Sequence, residues 1–418
     1  MIYILSIGMN DYRNRAGGTN KAILAQQELF RQHGYGYIYI CPVKEKKERL
    51  WELIINNHFR CVRSTEGLIF FLYRLQLEGN SINEVYIHHL RTASLTAIDQ
   101  LLSCIKGNIK FYIHDYFSIC PSIKMMRNDT EYCGSDMMSE KKCKGCKYYK
   151  AGIEDNIQLR ELFGKYESRL LFIAPSDMAK DVWLKAYESY RDRTIVIYHQ
   201  ALRGKFKKNR KLIRNKIRVG YLGEPSYSKG WNEWNNIIRT VSNKNYQYFY
   251  FGKDKYRDGI VHNVRVDFQK DLNAMICSLR QKRVDCVILW SMWEETYSYT
   301  FYESLASNAF VITNRKSGNI ADQVARRKNG IILDNEKELI DLFKNFELMK
   351  MYINNYKESD NYGPDKLVEN PEILRYIDVQ TAQNVCEVKR RRKTSEEKKF
   401  TVYYGVLQIF YYIKKVLL

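Results

Sequence analysis

Two carboxylates, Glu295 and Glu303, stand in the run Trp293-Glu294-Glu295-Thr296-Tyr297-Ser298-Tyr299-Thr300-Phe301-Tyr302-Glu303-Ser304-Leu305-Ala306. Apolar residues 284–290 lead in and residues 309–313 follow, and both stretches read as buried strands. The first acid then lies at the carboxyl end of a strand and the second on the helix behind it. Ligands of open α/β sheets bind outside the carboxyl ends of the strands. Carboxylates accept hydrogen bonds from sugar hydroxyls, so two of them there suit a polyhydroxylated ligand. Spacing alone leaves open a plainer reading, a helix N-terminal acid plus a solvated one.

Other residues add chemistry of the same kind. Gly17 and Gly18 follow the first strand-like segment and precede a helix. Glycines there let the backbone approach a ligand, and the helix N-terminus offers free N–H groups to an anion; an ordinary strand-to-helix turn has the same residues. Gly223 ends the strand 217–222, and Lys229 lies just before a helix starting near Trp231, a suitable seat for a diphosphate. His114 closes the strand 110–114, where an imidazole can bond a sugar hydroxyl or tune local charge. A structural hydrogen bond is the alternative for His114, and His88 and His89 are similar. Cys120, Cys133, Cys143 and Cys146 fall in one stretch and end in Cys-Lys-Gly-Cys, a knuckle that suits tetrahedral zinc. Free buried thiols or a redox pair are the alternatives.

The elements that must hold these residues alternate between strand and helix. Strand-like runs at 2–7, 37–40, 85–88, 110–114 and 170–175 form one series; runs at 217–222, 246–251, 285–289, 310–313 and 330–333 form another. This pattern predicts parallel sheets covered by helices on both faces. The expected architecture is two Rossmann-like domains facing a central cleft, residues 1–204 with a Cys loop at 120–146 and residues 217–345, joined by a basic linker at 205–216. A C-terminal extension, 346–418, follows.

At 418 residues and 45% hydrophobic content the chain is long enough for two or three domains with real cores. A net charge of +21 favours anionic partners. No run of eighteen apolar residues is present, and the first residues read as a strand rather than a signal peptide. The ten cysteines without secretory context fit a reducing cytosol. The tail carries Lys389, Arg390, Arg391, Arg392 and Lys393, then an apolar, aromatic segment from Phe400 through Phe410 and Tyr411 to Leu418. It reads as a polybasic clamp followed by an in-plane membrane helix, or else as a helix docked on the first domain.

Taken in order, these pieces resemble a family 4 glycosyltransferase of the GT-B fold over residues 1 to 345. The matching pieces are Gly17-Gly18, His114-Asp115, Ala174-Pro175-Ser176, Gly223 with Lys229-Gly230, and Glu295 with Glu303. The loop after His114, reaching Cys120-Pro121, resembles a subgroup in bacterial surface-polysaccharide pathways such as capsule or O-antigen. The resemblance implies retaining transfer from a nucleotide-diphosphate sugar with no catalytic metal. It gives Lys229 the donor diphosphate, Glu295 the donor sugar, Glu303 the ribose, His114 the sugar site, and Gly17 and Gly18 the approach to the phosphates. With the tail, it implies a lipid-linked oligosaccharide acceptor and a cytoplasmic enzyme peripheral on the anionic inner face of the membrane, with no nucleic-acid partner. Two departures stand out. The Arg that the family carries a few residues before the loop Lys is missing from Glu224-Pro225-Ser226-Tyr227-Ser228, with Lys253 as a substitute, and Gly318-Asn319-Ile320-Ala321-Asp322 replaces a family turn. The competing functional classes are a nucleic-acid-binding module using the basic surface and a catalytically inactive nucleotide-binding scaffold.

Overall fold

The computed structural model describes the chain except residues 15–16, 44–49, 206–210, 242–243, 254–258, 269, 364, 381–383, 390 and 418. Strands β1 (Ile2–Ile7), β2 (Gly36–Pro42), β3 (Leu50–Ile55), β4 (His58–Ser64), β5 (Ser81–Ile87) and β6 (Asn108–Tyr112) belong to the first half of the chain. A short hairpin, β7 (Met126–Arg127) and β8 (Glu131–Tyr132), lies in the cysteine loop, followed by β9 (Leu170–Ala174), β10 (Thr194–Val196) and β11 (Gln200–Lys205). The second half holds β12 (Ile217–Leu222), β13 (Tyr246–Gly252), β14 (Val261–Arg265), β15 (Cys286–Leu289), β16 (Phe310–Asn314), β17 (Gly330–Leu333) and β18 (Asp365–Glu369).

Helices α1 (Gly18–Gln32), α2 (Thr65–Leu77), α3 (Leu95–Cys104), α4 (Glu140–Cys143), α5 (Tyr149–Lys165) and α6 (Asp177–Leu184) alternate with the first set of strands. Helices α7 (Trp231–Thr240), α8 (Ala274–Lys282), α9 (Tyr299–Ala306), α10 (Asn319–Arg327), α11 (Glu336–Lys344) and α12 (Phe346–Glu358) accompany the second set, and α13 (Ser395–Leu417) ends the chain.

Two sheets result. The first has order β10-β9-β6-β5-β1-β2-β3-β4 and the second β14-β13-β12-β15-β16-β17. The second is parallel throughout. Each strand sends alternate side chains to opposite faces, so Leu5 and Ile7 enter one core while Ile4, Tyr37 and Tyr39 enter the other. Val219, Tyr221 and Ile288 divide from Leu222, Val287 and Leu289 in the same way. Burial on both faces explains the near-continuous apolar runs seen in the sequence.

The structure corrects the all-parallel expectation at one edge. Strands β2, β3 and β4 pair antiparallel. The turn between β3 and β4 is Asn56-Asn57, both at positive φ (47° and 69°), the conformation a tight hairpin requires.

The C-terminal extension, which matched nothing in sequence, returns to the first half. Strand β18 pairs antiparallel with β11, and Val385 bridges to Ile105. Helix α13 then covers the edge strand β4. Thr401 Oγ1 accepts from Val62 N at 2.9 Å and Glu397 Oε1 from Ser64 N at 2.9 Å, which satisfies edge amides that would otherwise invite pairing. Tyr404 is buried against Val43, Leu50 and Val62. Of the linker foreseen at 205–216, residues 206–210 lie outside the described residues.

Candidate functional site

The carboxyl ends of β1, β12 and β13 open onto one cavity of about 450 Å³. Gly17, Gly18 and Lys21 line it from the first half. Gly223, Glu224, Lys253, Phe268, Tyr299 and Glu303 are among its walls from the second. A Cβ built on Gly18 would stand 3.5 Å from the Tyr299 ring, so this loop already touches the opposite half. Gly223 turns at φ 94°, a conformation glycine adopts without strain.

Each acid of the pair carries a lysine. Glu303, on α9, accepts from Lys21 Nζ at 2.5 Å, and both side chains are buried (6% and 7% exposed). Lys21 also lies 4.9 Å from the centroid of the Tyr299 ring. Burial pushes the Glu303 carboxyl above its ordinary value, and Lys21 opposes that shift. Glu295 is buried and accepts from Lys229 Nζ and, at 3.1 Å, from Ser291 Oγ.

Lys229 precedes α7 by two residues. The intervening Gly230 sits at φ 75°, where a Cβ would fall 2.4 Å from the Trp290 carbonyl oxygen. No side chain caps α7; Trp231 N donates to Ser226 O at 3.2 Å, and the next amides of the first turn face the end beside Lys229, where an anion is favoured. The replaced turn also finds its reason. Gly318, at φ 58°, leaves no room for a Cβ against Glu294 and the Glu295 amide (2.5 Å), and Asn319 N donates to Glu295 O at 2.9 Å. That turn therefore holds Glu295 in place.

His114 follows β6 and does not line the cavity. Its ring stacks on Tyr112 (5.3 Å, 10°), and its Nε2 lies 2.8 Å from His88 Nδ1. Its carbonyl oxygen accepts from Thr296 Oγ1 at 2.7 Å, which ties it to the residue after Glu295. Burial, then the neighbouring His199, His88 and His89, pushes its pKa well below the usual imidazole value. His88 falls to about 3, and His199 to about 4 by burial. His88, His114 and His199 are therefore neutral at physiological pH.

The cysteine loop corrects one expectation. Among the described residues no group of three or more His, Cys, Asp or Glu is placed to hold a metal ion, so the tetrahedral zinc site expected of Cys120, Cys133, Cys143 and Cys146 finds no support. Here burial pushes Cys120 up to about 12, and the Cys133 thiol donates to Met125 O at 2.8 Å. The loop is held instead by Arg127, which donates to Lys142 O (3.0 Å) and Lys144 O (2.6 Å), and by Met125 and Met126 in the core.

The same loop crosses to the second half. Tyr132 OH donates to Glu294, Tyr227 OH donates to Thr130 O at 2.9 Å, and Lys124 Nζ donates to Ser228 Oγ at 2.7 Å. Sequence reasoning missed Lys21 and Lys124. Lys21 had a signal, a cation in the first turn after Gly17-Gly18. Lys124 had none, being one cation among 68.

The tail residues divide. Arg390 lies outside the described residues. Arg391 bonds Ser64 Oγ and Glu66, while Lys389 and Arg392 are exposed and Lys393 is half-buried. Phe400 packs inward on Val43, Leu50 and Val62, unlike its expected outward role. Phe410 and Tyr411 are exposed, with Val402, Tyr403, Val406, Ile409 and Tyr412. No helix among the described residues is long and apolar enough to cross a membrane.

No family model and no curated protein matches the chain. Solved structures do. Sucrose-phosphate synthase from Thermosynechococcus elongatus superposes with a TM-score of 0.54 at 12% identity, over 86% of this chain and 92% of that one. HepE from Anabaena, solved in complex with UDP and glucose, gives 0.51 at 13% identity over 85% and 92%. WaaG, a glycosyltransferase involved in lipopolysaccharide biosynthesis, gives 0.51 at 12% over 91% and 100%. At such identities the likeness establishes architecture: the chain has the GT-B fold, two Rossmann-like halves across a cleft with a C-terminal helix on the first.

Proposed function

We propose that the protein is a metal-independent, retaining glycosyltransferase that takes a sugar from a nucleotide-diphosphate donor. The observation that carries this is the convergence on one cleft of Gly17, Gly18, Gly223 and Glu303 around the 450 Å³ cavity, with the Lys229–Glu295 pair at the uncapped end of α7. The nucleoside occupies the cavity, with Glu303 accepting from ribose hydroxyls. The diphosphate lies on Lys229 and the α7 amides, and Glu295 takes hydroxyls of the donor sugar. As the sugar–phosphate bond breaks, negative charge grows on the departing phosphate. A cation and amides already fixed there stabilise that charge without reorganising. Neutral His114 fixes the loop bearing Glu295 through its carbonyl and Thr296.

The acceptor belongs in a second cavity of about 660 Å³ between the β1–α1 loop and α13. Asp11, Asn14, Arg91 and Gln408 supply polar contacts there, and Tyr403, Tyr404 and Tyr411 supply aromatic ones. Polar groups beside aromatic faces suit a glycan. The outer side of α13 bears Val402, Val406, Ile409 and Phe410 exposed (46–68%), and Lys389 and Arg392, which precede the helix, are exposed as well. An apolar stripe on a helix preceded by exposed cations suits an anionic bilayer surface. A lipid-linked glycan in surface-polysaccharide synthesis, presented at the inner face of the membrane, meets both requirements.

A thermal-shift panel of UDP, GDP, dTDP and their sugars tests the reading. One nucleoside diphosphate is expected to raise the melting temperature, since a ligand that binds only the folded state stabilises it. Its sugar derivative is expected to be consumed with retention at the anomeric carbon, read by NMR. No shift with any nucleotide, together with salt-dependent binding of random DNA, overturns the proposal.

A further inference from the structure

We propose that Lys124, delivered across the cleft by the cysteine loop, is the second cation on the donor diphosphate, in place of the Arg missing from the loop before Lys229. This rests on the glycosyl-transfer reading above. Lys124 Nζ donates to Ser228 Oγ at 2.7 Å, and Ser228 is the residue immediately before Lys229. The two lysines therefore converge from opposite halves on the uncapped N-terminus of α7.

Like charges brought together on a part-buried surface cost free energy unless an anion lies between them. Lys124 is half-buried; burial and then Lys229 lower its pKa, while Glu295, Glu224 and Asp129 act the other way. The acid nearest to Lys229 is already taken, because Glu295 pairs with Lys229 and Ser291. A diphosphate carries enough negative charge for two cations and a helix terminus. The other candidate substitute, Lys253, lines the nucleoside cavity beside Phe268, with its Nζ 5.9 Å from that ring centroid.

The consequence is functional. With one phosphate cation on each half, the diphosphate is fully held only when the cleft is closed. Closure is then coupled to the diphosphate rather than to the base. The cysteine loop also acquires a role that no metal is needed to explain: it is a rigid arm, anchored by Met125 and Met126 in the core, that carries one charge.

A plain structural latch through Ser228 is the competing role, and the two separate experimentally. Isothermal titration measures the affinity of the nucleoside diphosphate found in the panel, and competition measures its nucleoside. The proteins are wild type, Lys124→Met, Lys124→Gln, Lys124→Arg and Ser228→Ala. The expected result is a diphosphate-over-nucleoside affinity ratio about tenfold to a hundredfold lower in Lys124→Met and Lys124→Gln, with nucleoside affinity unchanged. Lys124→Arg restores the ratio, and Ser228→Ala keeps it. An unchanged ratio in both neutral variants, or a parallel loss for nucleoside and diphosphate, overturns the role of Lys124 while leaving the transferase reading intact. A wild-type protein that binds no nucleoside diphosphate overturns that reading itself.

Discussion

Lys21→Met is the most searching perturbation of the site, because it keeps the side-chain stem and removes only the charge. In the wild type, Lys21 Nζ and Glu303 Oε1 lie 2.5 Å apart with neither side chain more than 7% exposed. Removing one partner of such a pair leaves an uncompensated buried charge and costs about 3–5 kcal/mol. At about 2–4 °C per kcal/mol, the melting temperature at pH 8 is expected to fall by about 6–20 °C. The loss has a pH signature. Burial already pushes Glu303 above its ordinary value, with Lys21 pulling the other way. Without Lys21 the folded protein holds that proton more tightly still. Unfolding then releases a proton, so stability falls as pH rises from the unfolded carboxylate value, about 4.3, through the folded one. The deficit against wild type therefore shrinks towards pH 5. Lys21→Met/Glu303→Leu, which removes both charges, is expected to recover at least half the loss. Calorimetry on the four proteins of this cycle at pH 5 and pH 8 gives the answer. A single variant melting within about 2 °C of wild type at pH 8, or a double variant as unstable as the sum of the singles, refutes the buried-pair argument.

Lys229→Ala and Glu295→Ala are each expected to lower kcat by at least about a hundredfold with the fold retained by circular dichroism; wild-type turnover in either removes it from the site. His114→Gln is expected to lower kcat more than nucleotide affinity, and equal kinetics would return His114 to a purely structural role. Glu369, pushed up to about 7 by burial, binds its proton more tightly folded than unfolded. Wild-type stability therefore contains a component lost as pH rises from about 4.3 towards 7. Glu369→Gln should flatten that slope in melts from pH 5 to 8, and an unchanged slope contradicts the assignment. Ile409→Asp/Phe410→Asp, on the outer side of α13, should cut co-sedimentation with phosphatidylglycerol vesicles by at least about tenfold without changing nucleotide binding. Full sedimentation by that variant rules out the stripe as the membrane contact.

The architecture was legible because both sheets are buried on two faces. Parallel strands of that kind are continuous apolar runs, and their carboxyl ends mark where ligands go. Gly17, Gly18, Gly223 and Glu303 could be assigned to one cavity for that reason. The β3–β4 hairpin was missed although Asn56-Asn57 between apolar segments carries the turn chemistry; the sequence reading places a strand at 37–40 and none between there and 85. The zinc expectation found no support because spacing counts cysteines without their surroundings. The burial of Cys120 and the Cys133–Met125 bond are set by tertiary packing. The tail had two readings, and α13 shows the docked one: one side packs on β4 through Thr401 and Tyr404, while the other is apolar and exposed, the surface on which the membrane proposal rests.

The two acids and their lysines explain why the missing Arg does not leave the site short of charge. Glu295 is matched within the second half by Lys229, whereas Glu303 is matched across the cleft by Lys21. Lys124 crosses in the same direction to Ser228. Two of the three lysines therefore come from the first half, on α1 and on the cysteine loop. A site charged from one side only binds its anion with the cleft open. A site charged from both sides gains most of its electrostatic stabilisation on closure, when water is excluded and each interaction strengthens. The free protein can remain closed because Glu303 holds Lys21 and Ser228 holds Lys124 across the cleft, while Glu295 occupies Lys229. Donor binding then becomes an exchange of anions, a carboxylate giving up part of its lysine to a phosphate, with Lys124 joining from the Ser228 hydroxyl. That exchange predicts that neutralising Glu303 without touching its size, as in Glu303→Gln, should tighten inorganic pyrophosphate while weakening the ribose-bearing nucleotide. A parallel loss of both in titration would show that Glu303 acts only to hold the cleft together.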